Sequence, residues 1–308
     1  MYGPLVSVII NNYNYGRFLS RAINSVLNQS YSDIEVIVVD DGSADNSREI
    51  ISSYGNRIIP LLKENGGQSS AFNTGFRVSR GEVICLLDSD DVFINSKVQE
   101  VVDYFSENDD IVWLFHQLKY IDSLDEFLEK ESTVQETTKL IDLRKKIIFN
   151  GKMPFIAAAT SGLCFRRKLL EQILPMPEFI KITSDNYIKF ASLILSPGLY
   201  LNKALAYQRI HGENAYTGKN DLVSRGYIHC QIAYYLMLNI KGSDKFAFKL
   251  MASALSDLLR AGSRNALPGE AEKYLSSVSA VDKLRLYARC ILKALQHVIR
   301  DLFWGIKS

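Results

Sequence analysis

The chain contains no uninterrupted apolar run of the ~18 residues that a membrane-spanning helix needs. It also lacks both G-x-x-x-x-G-K-S/T and G-x-G-x-x-G, so neither an ordinary ATPase nor a dinucleotide-dependent oxidoreductase is indicated. Cysteine is scarce. Cys85, Cys164, Cys230 and Cys290 stand far apart without a C-x-x-C pair, which argues against a disulfide frame or a zinc site and suits a reducing compartment. An excess of charge is missing too. Lys and Arg number 36 against 34 Asp and Glu, a net charge of +2, too balanced for a dedicated nucleic-acid binder. Neither a repeat nor a low-complexity segment is present. Met1-Tyr2-Gly3-Pro4 leads directly into a strand-like run, and no signal peptide is expected.

What is present is apolar enough to fold. Of 308 residues, 47% are hydrophobic and 23% charged, which permits a sizeable core in one domain or a domain with an appendage. The first third alternates short β-rich runs with helical spacing. Leu5–Ile10, Ile34–Val39, Arg57–Leu62, Val83–Leu87 and Ile111–Phe115 read as strands. Arg17–Asn28, Asp45–Tyr54, Gln68–Ser79 and Asn95–Phe105 read as helices. Such alternation predicts an α/β fold with a doubly wound, mostly parallel sheet, whose ligands bind beyond the carboxyl ends of the strands. Further along, Leu140–Phe149, Arg167–Leu174 and Asp185–Leu195 read as helices, and Leu199–Ile210 carries strand-like pieces. After about residue 220 only helical patterns remain. We therefore expect a catalytic domain over 1–220, divided at 118/119, and a helical region over 221–308.

Three strand ends break into polar clusters: Asn11–Asn14, Asp40–Ser43 and Asp88–Asp91. The first can offer a ring to stack on a base and amides to bind its edge. Asp41 can accept from a uracil-type N–H. Asp88, Asp90 and Asp91 suit a hard divalent cation, which wants oxygen ligands and shares them with substrate phosphates. Asn65-Gly66-Gly67-Gln68 precedes a helix, where backbone N–H groups can approach an anion. Taken singly, each cluster is equally what a turn or helix cap requires.

In order along the chain stand Val6-Ser7-Val8-Ile9 with Tyr13-Asn14, Val39-Asp40-Asp41-Gly42-Ser43, Asn65-x-Gly67, Asn73-x-Gly75, Arg80-Gly81 and Leu87-Asp88-Ser89-Asp90-Asp91. This series resembles the family-2 glycosyltransferases of GT-A fold, closely over residues 5–92 and more weakly over 160–214. The resemblance implies an inverting transfer of sugar from a nucleotide donor, usually a UDP-sugar, to an acceptor hydroxyl. By that resemblance Asn11, Tyr13, Asp41, Gly67, Gln68, Asp88, Ser89 and Asp90 bind the nucleotide. Asp90, Asp91 and His211 hold Mn2+ or Mg2+. Asp185, opening a helix in Thr183-Ser184-Asp185-Asn186-Tyr187, is the base, and Thr160-Ser161-Gly162 lies on the acceptor side. Arg209 is expected at phosphate. The family often has Thr in place of Asn11, Glu in place of Ser184 and Arg in place of Phe72. Since Phe72 cannot bind phosphate, Lys63 or Arg80 is expected to do so instead.

The glycan or lipid-linked acceptor, the cytoplasmic location and a role in surface polysaccharide synthesis are what family habit implies. Two rival readings stay open at this point: an inactive UDP-binding or membrane scaffold, and a sugar-nucleotide pyrophosphorylase. The latter would be expected to carry a basic Gly-rich loop where Asn11–Gly16 stands. At the other end, Leu284, Ala288, Ile291, Leu295, Val298 and Leu302 recur in steps of four and three, with Arg285, Arg289, Lys293 and Arg300 on another face. That helix suits peripheral contact with the inner face of an anionic membrane, with Phe303 and Trp304 at the interface, or alternatively a homodimer contact.

Overall fold

The computed structural model describes residues 3–128, 137–153, 158–214, 221–263 and 267–304, the side chains of 300–304 excepted. The strands are β1 (Val6–Asn12), β2 (Ile34–Asp41), β3 (Ile59–Lys63), β4 (Val83–Asp88), β5 (Val92–Phe93), β6 (Trp113–Ile121), β7 (Thr138–Ile141), β8 (Leu163–Arg166) and β9 (Gly198–Arg209). Between and after them run α1 (Gly16–Leu27), α2 (Ser47–Ser53), α3 (Gln68–Val78), α4 (Lys97–Glu107), α5 (Arg144–Asn150), α6 (Arg167–Ile173) and α7 (Asp185–Leu195). Helices α8 (Leu222–Asn239), α9 (Asp244–Arg260), α10 (Gly269–Ser277) and α11 (Ala280–Trp304) complete the chain.

The fold is α/β with a helical carboxyl-terminal region. One nine-stranded sheet has the order β3-β2-β1-β4-β8-β6-β9-β5, with β7 on β9. Strands β3, β2, β1 and β4 are parallel to one another, β8 runs against both β4 and β6, and β6 and β9 are parallel. The apolar runs of β1, β2 and β4 are almost continuous because both sheet faces are covered. Val6, Val8 and Ile10 join the core shared with Leu19, Ile23, Ile51 and Val98 of α1, α2 and α4. Ile9 meets α3 on the opposite face, where a Cβ at Gly75 would lie 2.5 Å from it.

Register places the polar ends in line. Asn11 is opposite Val39 and Asp88, and Asn12 is opposite Asp40. The chain leaves β1 toward β2 on one side and reaches β4 on the other, so these tips lie at the reversal of strand order where α/β sheets bind ligands.

Two expectations need correction. Leu140 and Ile141 are strand, not helix, because β7 pairs antiparallel with β9 before α5 begins at Arg144. The run expected over Ile111–Phe115 extends as β6 to Ile121, its register with β9 shifting around Gln117.

The chain forms two compact units, Met1–Leu143 with Phe155–Thr217, and Arg144–Pro154 with Gly218–Ser308. Residues 144–154 thus group with the helices, although the sequence reading places them in 119–220. The second unit is an α-helical core around Cys230, Ala233, Ala247, Met251, Leu258, Tyr274, Leu286 and Cys290. Asp221 caps α8 by accepting from Val223 N at 2.9 Å. Among the described residues no helix is long and apolar enough to cross a membrane.

Candidate active site

The tip of β2 organises the loop before α3. Asp41 accepts from Gly66 N at 2.9 Å and Lys63 Nζ at 2.6 Å on one oxygen, and from Gly67 N at 2.7 Å on the other. Gly67 has φ +88°, and a Cβ there would sit 2.7 Å from Lys181 Cα, so only glycine fits. The residue next to it on β2, Asp40, instead accepts from Asn12 Nδ2 at 2.9 Å and Arg48 Nε at 3.1 Å. Asn11, next to last in β1, has its Oδ1 buried and without a hydrogen-bond partner, and Tyr13 just past the strand is half exposed. Asn11, Tyr13, Asp41, Gly67 and Gln68 therefore border one edge of the sheet.

The four positions Asp88–Asp91 at the tip of β4 have different surroundings. The Asp88 carboxyl is pushed up to about 7 by burial and by the negative charges of Asp90 and Asp185. Its Oδ1 lies 3.4 Å from Gln68 Nε2. Asp90 Oδ2 faces His211 Nε2 at 3.1 Å and Asn214 Nδ2 at 3.3 Å. Asp91 differs: its two oxygens accept from Ser161 Oγ at 2.6 Å and Arg209 N at 2.9 Å. Expected at the metal, Asp91 instead ties β4 to β9 and to the turn at 160–162. Ser89 Oγ is buried without a partner.

His211 Nδ1 receives Glu213 N and lies beside Arg17 Nη2, each at 3.3 Å. Both are donors, so all contacts are satisfied when the ring proton is on Nε2, aimed at Asp90. A ring joining a cation through Nε2 must carry its proton on Nδ1 instead, where it would face those two donors and their contacts would be given up. Among the described residues no group of three or more His, Cys, Asp or Glu side chains is placed to hold a metal ion. The local donor chemistry nonetheless fits a hard divalent cation. Arg209 and Lys189 offset charge at Asp90, Asp91 and Asp185, but Asp88 is left facing two carboxylates, and a cation with few protein ligands completes its shell from diphosphate and water.

Asp185 is the first residue of α7 and is 8% exposed. Burial raises its carboxyl above the usual range, partly offset by the charge of Lys189 one turn on. Thr183 before it has φ +50°, a strained conformation for a β-branched residue, and its Oγ1 is buried without a partner. Gln68 Oε1 accepts from Ser184 N at 2.9 Å and Ser184 Oγ at 3.0 Å, which fixes the start of α7.

The segment expected on the acceptor side is a buried 3-10 turn. Ser161 donates to Asp91, accepts from Asp88 N at 3.1 Å, and gives its carbonyl to Lys97 Nζ at 2.6 Å. A Cβ at Gly162 would lie 2.6 Å from the His116 carbonyl oxygen. Thr160 faces Gln68, accepting from its Nε2 at 3.3 Å. Arg209, expected at phosphate, is 1% exposed and donates to Asp90 O, Asp122 O and Asp125 Oδ1. Arg80 pairs with Glu35 near the amino end of β2, the wrong end of the sheet for binding phosphate in place of Phe72. Lys63, beside Asp41, is at the correct end. Ser161, expected on the acceptor side, instead braces Asp91, and Asn214 beside Asp90 is a residue to which the sequence assigned no role.

A family model described as glycosyl transferase family 2 matches residues 7–174. An uncharacterized glycosyltransferase of Nostoc sp. (strain PCC 7120) is 42% identical over 214 residues, covering 68% of this chain and 66% of the relative. One from Rickettsia prowazekii is 41% identical over 227 residues, covering 68% and 65%. The match thus spans just under two thirds of the length of each of these relatives. Among solved structures, Staphylococcus aureus TarS 1–349 in complex with UDP-GlcNAc aligns with TM-score 0.59 at 20% identity, covering 92% of this chain and 79% of that one. The mannosyltransferase PcManGT of Pyrobaculum calidifontis, in complex with GDP-Man and Mn2+, gives 0.54 at 14%, covering 96% and 88%. At such identities the likeness establishes the GT-A fold.

Proposed function

The chain belongs to glycosyl transferase family 2, and from that premise we propose that it transfers a sugar from a UDP-sugar to an acceptor hydroxyl with inversion at the anomeric carbon. The observation that carries this reading is the gathering of Asp88 with the buried Asp90 and Asp185, where desolvation first, and then the charges of the other two, lift Asp88 to about 7. Such a cluster suits a site that receives a cation and a pyrophosphoryl group.

In this reading Tyr13 stacks on the base, and Asn11 and Asp41 bind its polar edge. Gly67 and Gln68 border the diphosphate. Asp185 removes the acceptor proton as the acceptor oxygen bonds to C1, and the C1–O bond to the diphosphate breaks on the opposite face. Its raised affinity for protons suits a general base. Asp90, together with His211 in the tautomer protonated on Nδ1, would hold Mn2+ or Mg2+, which would supply positive charge for the leaving diphosphate. Thr160 borders the acceptor. The choice of UDP draws support from the likeness to TarS, solved with UDP-GlcNAc. A lipid-linked or surface-glycan acceptor, reached from the cytoplasmic side, fits that donor class, and residues 1–220 are taken as the catalytic region.

Transfer and donor hydrolysis with a panel of UDP-, GDP- and dTDP-sugars test the proposal. Turnover of a UDP-sugar, lost in Asp185→Asn while UDP still binds, supports it. UDP binding without turnover of any donor would favour an inactive binding protein.

A further inference from the structure

Helix α11 packs onto its own unit with Leu286, Cys290 and Ala294, all buried. A surface helix needs only one apolar face for that. Yet Val281, Leu284, Tyr287, Ile291, Leu292, Leu295, Val298 and Ile299 are exposed on it, with Leu284 at 72%. At 100° per residue they form a second, continuous apolar stripe over about five turns. Contiguous exposed apolar surface of this kind marks an interaction site.

The flank of that stripe is basic. Arg285 and Arg289 follow its edge along α11, and Lys249 of α9 lies within electrostatic reach of Arg289, Lys152 and Lys245. Burial and the positive charges of Arg289, Lys152 and Lys245 lower the Lys249 ammonium's affinity for its proton. Lys245 and Lys249 donate to the backbone carbonyls of Phe149 and Asn150. No carboxylate forms an ion pair with Lys152, Lys245, Lys249 or Arg289 among the described residues. The one acid of α11 between 281 and 299, Asp282, is engaged by Ser279 and Arg285.

We propose that this face of the helical unit docks on an anionic lipid bilayer, the stripe entering the headgroup boundary and the basic flank meeting lipid phosphates. Charge selects this occupant over a second copy of the chain. An antiparallel pairing of two α11 stripes would set each basic flank against itself, whereas anionic headgroups neutralise it. The proposal does not depend on the donor or the acceptor. Phe303 and Trp304, which the sequence suggests as interface anchors, have side chains outside the described residues.

Vesicle flotation of the full chain tests it, using pure phosphatidylcholine and phosphatidylcholine mixed with phosphatidylglycerol. The expected result is binding to the anionic vesicles only, weakened by salt. Leu284→Asp with Leu295→Asp abolishes flotation. Lys249→Gln with Arg289→Gln lowers partitioning by about fivefold per charge removed. Helical content by circular dichroism and Tm, unchanged in every variant, report an intact fold. Three results would overturn the proposal: no flotation with anionic vesicles, equal flotation with neutral ones, or a soluble dimer that Leu284→Asp dissociates without any vesicle binding.

Discussion

Gln68 joins Ser184 to Asp88 through one amide, its oxygen 2.9 Å from Ser184 N and its nitrogen 3.4 Å from Asp88 Oδ1. The side chain that opens α3 thereby sets the residue before Asp185 against the tip of β4. Removing it should disturb the position of Asp185 more than nucleotide binding. Gln68→Ala is expected to lower kcat by roughly 10- to 100-fold, with the Kd for UDP changed much less, as steady-state kinetics and titration calorimetry will show.

Asp185→Asn keeps the shape of the side chain and removes its basicity. Turnover should fall on the order of 100-fold or more, with UDP affinity retained. In the wild type the acid limb of the kcat profile should lie above the ordinary aspartate range near 4, because burial raises this carboxyl and only its ionised form accepts a proton. An acid limb at or below about 4 would contradict the assignment.

Asp88 supplies a second pH effect. Its folded value of about 7 lies above the unfolded one, so the folded state binds the extra proton. Stability of the ligand-free protein should therefore decline as pH rises from about 4 through about 7. Asp88→Asn removes that charge and should raise Tm at pH 8 by about 2–4 °C while weakening nucleotide binding. Thermal unfolding across pH checks both.

At φ +88° and ψ 172°, Gly67 occupies a region open almost only to glycine, with Lys181 packed against it. Gly67→Ala is expected to cost about 1–3 kcal/mol from the backbone alone, and more from the contact with Lys181. Denaturant unfolding gives the loss, and UDP affinity should fall with it as the loop held by Asp41 shifts.

Much of the catalytic unit was legible because apolar runs ending in Asn11, Asp40 and Asp88 can only be buried strands with polar tips. The alternation with helices then brings those tips to one edge. What the chain order could not show was direction. Asp90 and Asp91 are neighbours, yet one faces His211 and the other turns inward to Ser161 and Arg209 N. Arg209 has the chemistry of a phosphate ligand, but it ends a strand and is consumed by carbonyls of Asp90 and Asp122. Arg80 stands in a motif, but its partner Glu35 lies at the far end of the strands. Leu140 and Ile141 have helical spacing with their successors, and pairing with β9 overrides it. Each of these outcomes was decided by a partner distant in sequence.

If Asp90 holds the cation through which a nucleoside diphosphate is gripped, UDP affinity must depend on metal through that one carboxylate. Titration of UDP with and without Mn2+ decides this, in wild type, Asp90→Asn and Asp91→Asn. A gain in UDP affinity with Mn2+ of about tenfold or more is expected in wild type. That gain should vanish in Asp90→Asn while the fold persists, whereas Asp91→Asn should chiefly lower Tm by removing its bonds to Ser161 and Arg209. An Asp90→Asn protein whose affinity still rises with Mn2+ as in wild type would contradict this role for Asp90.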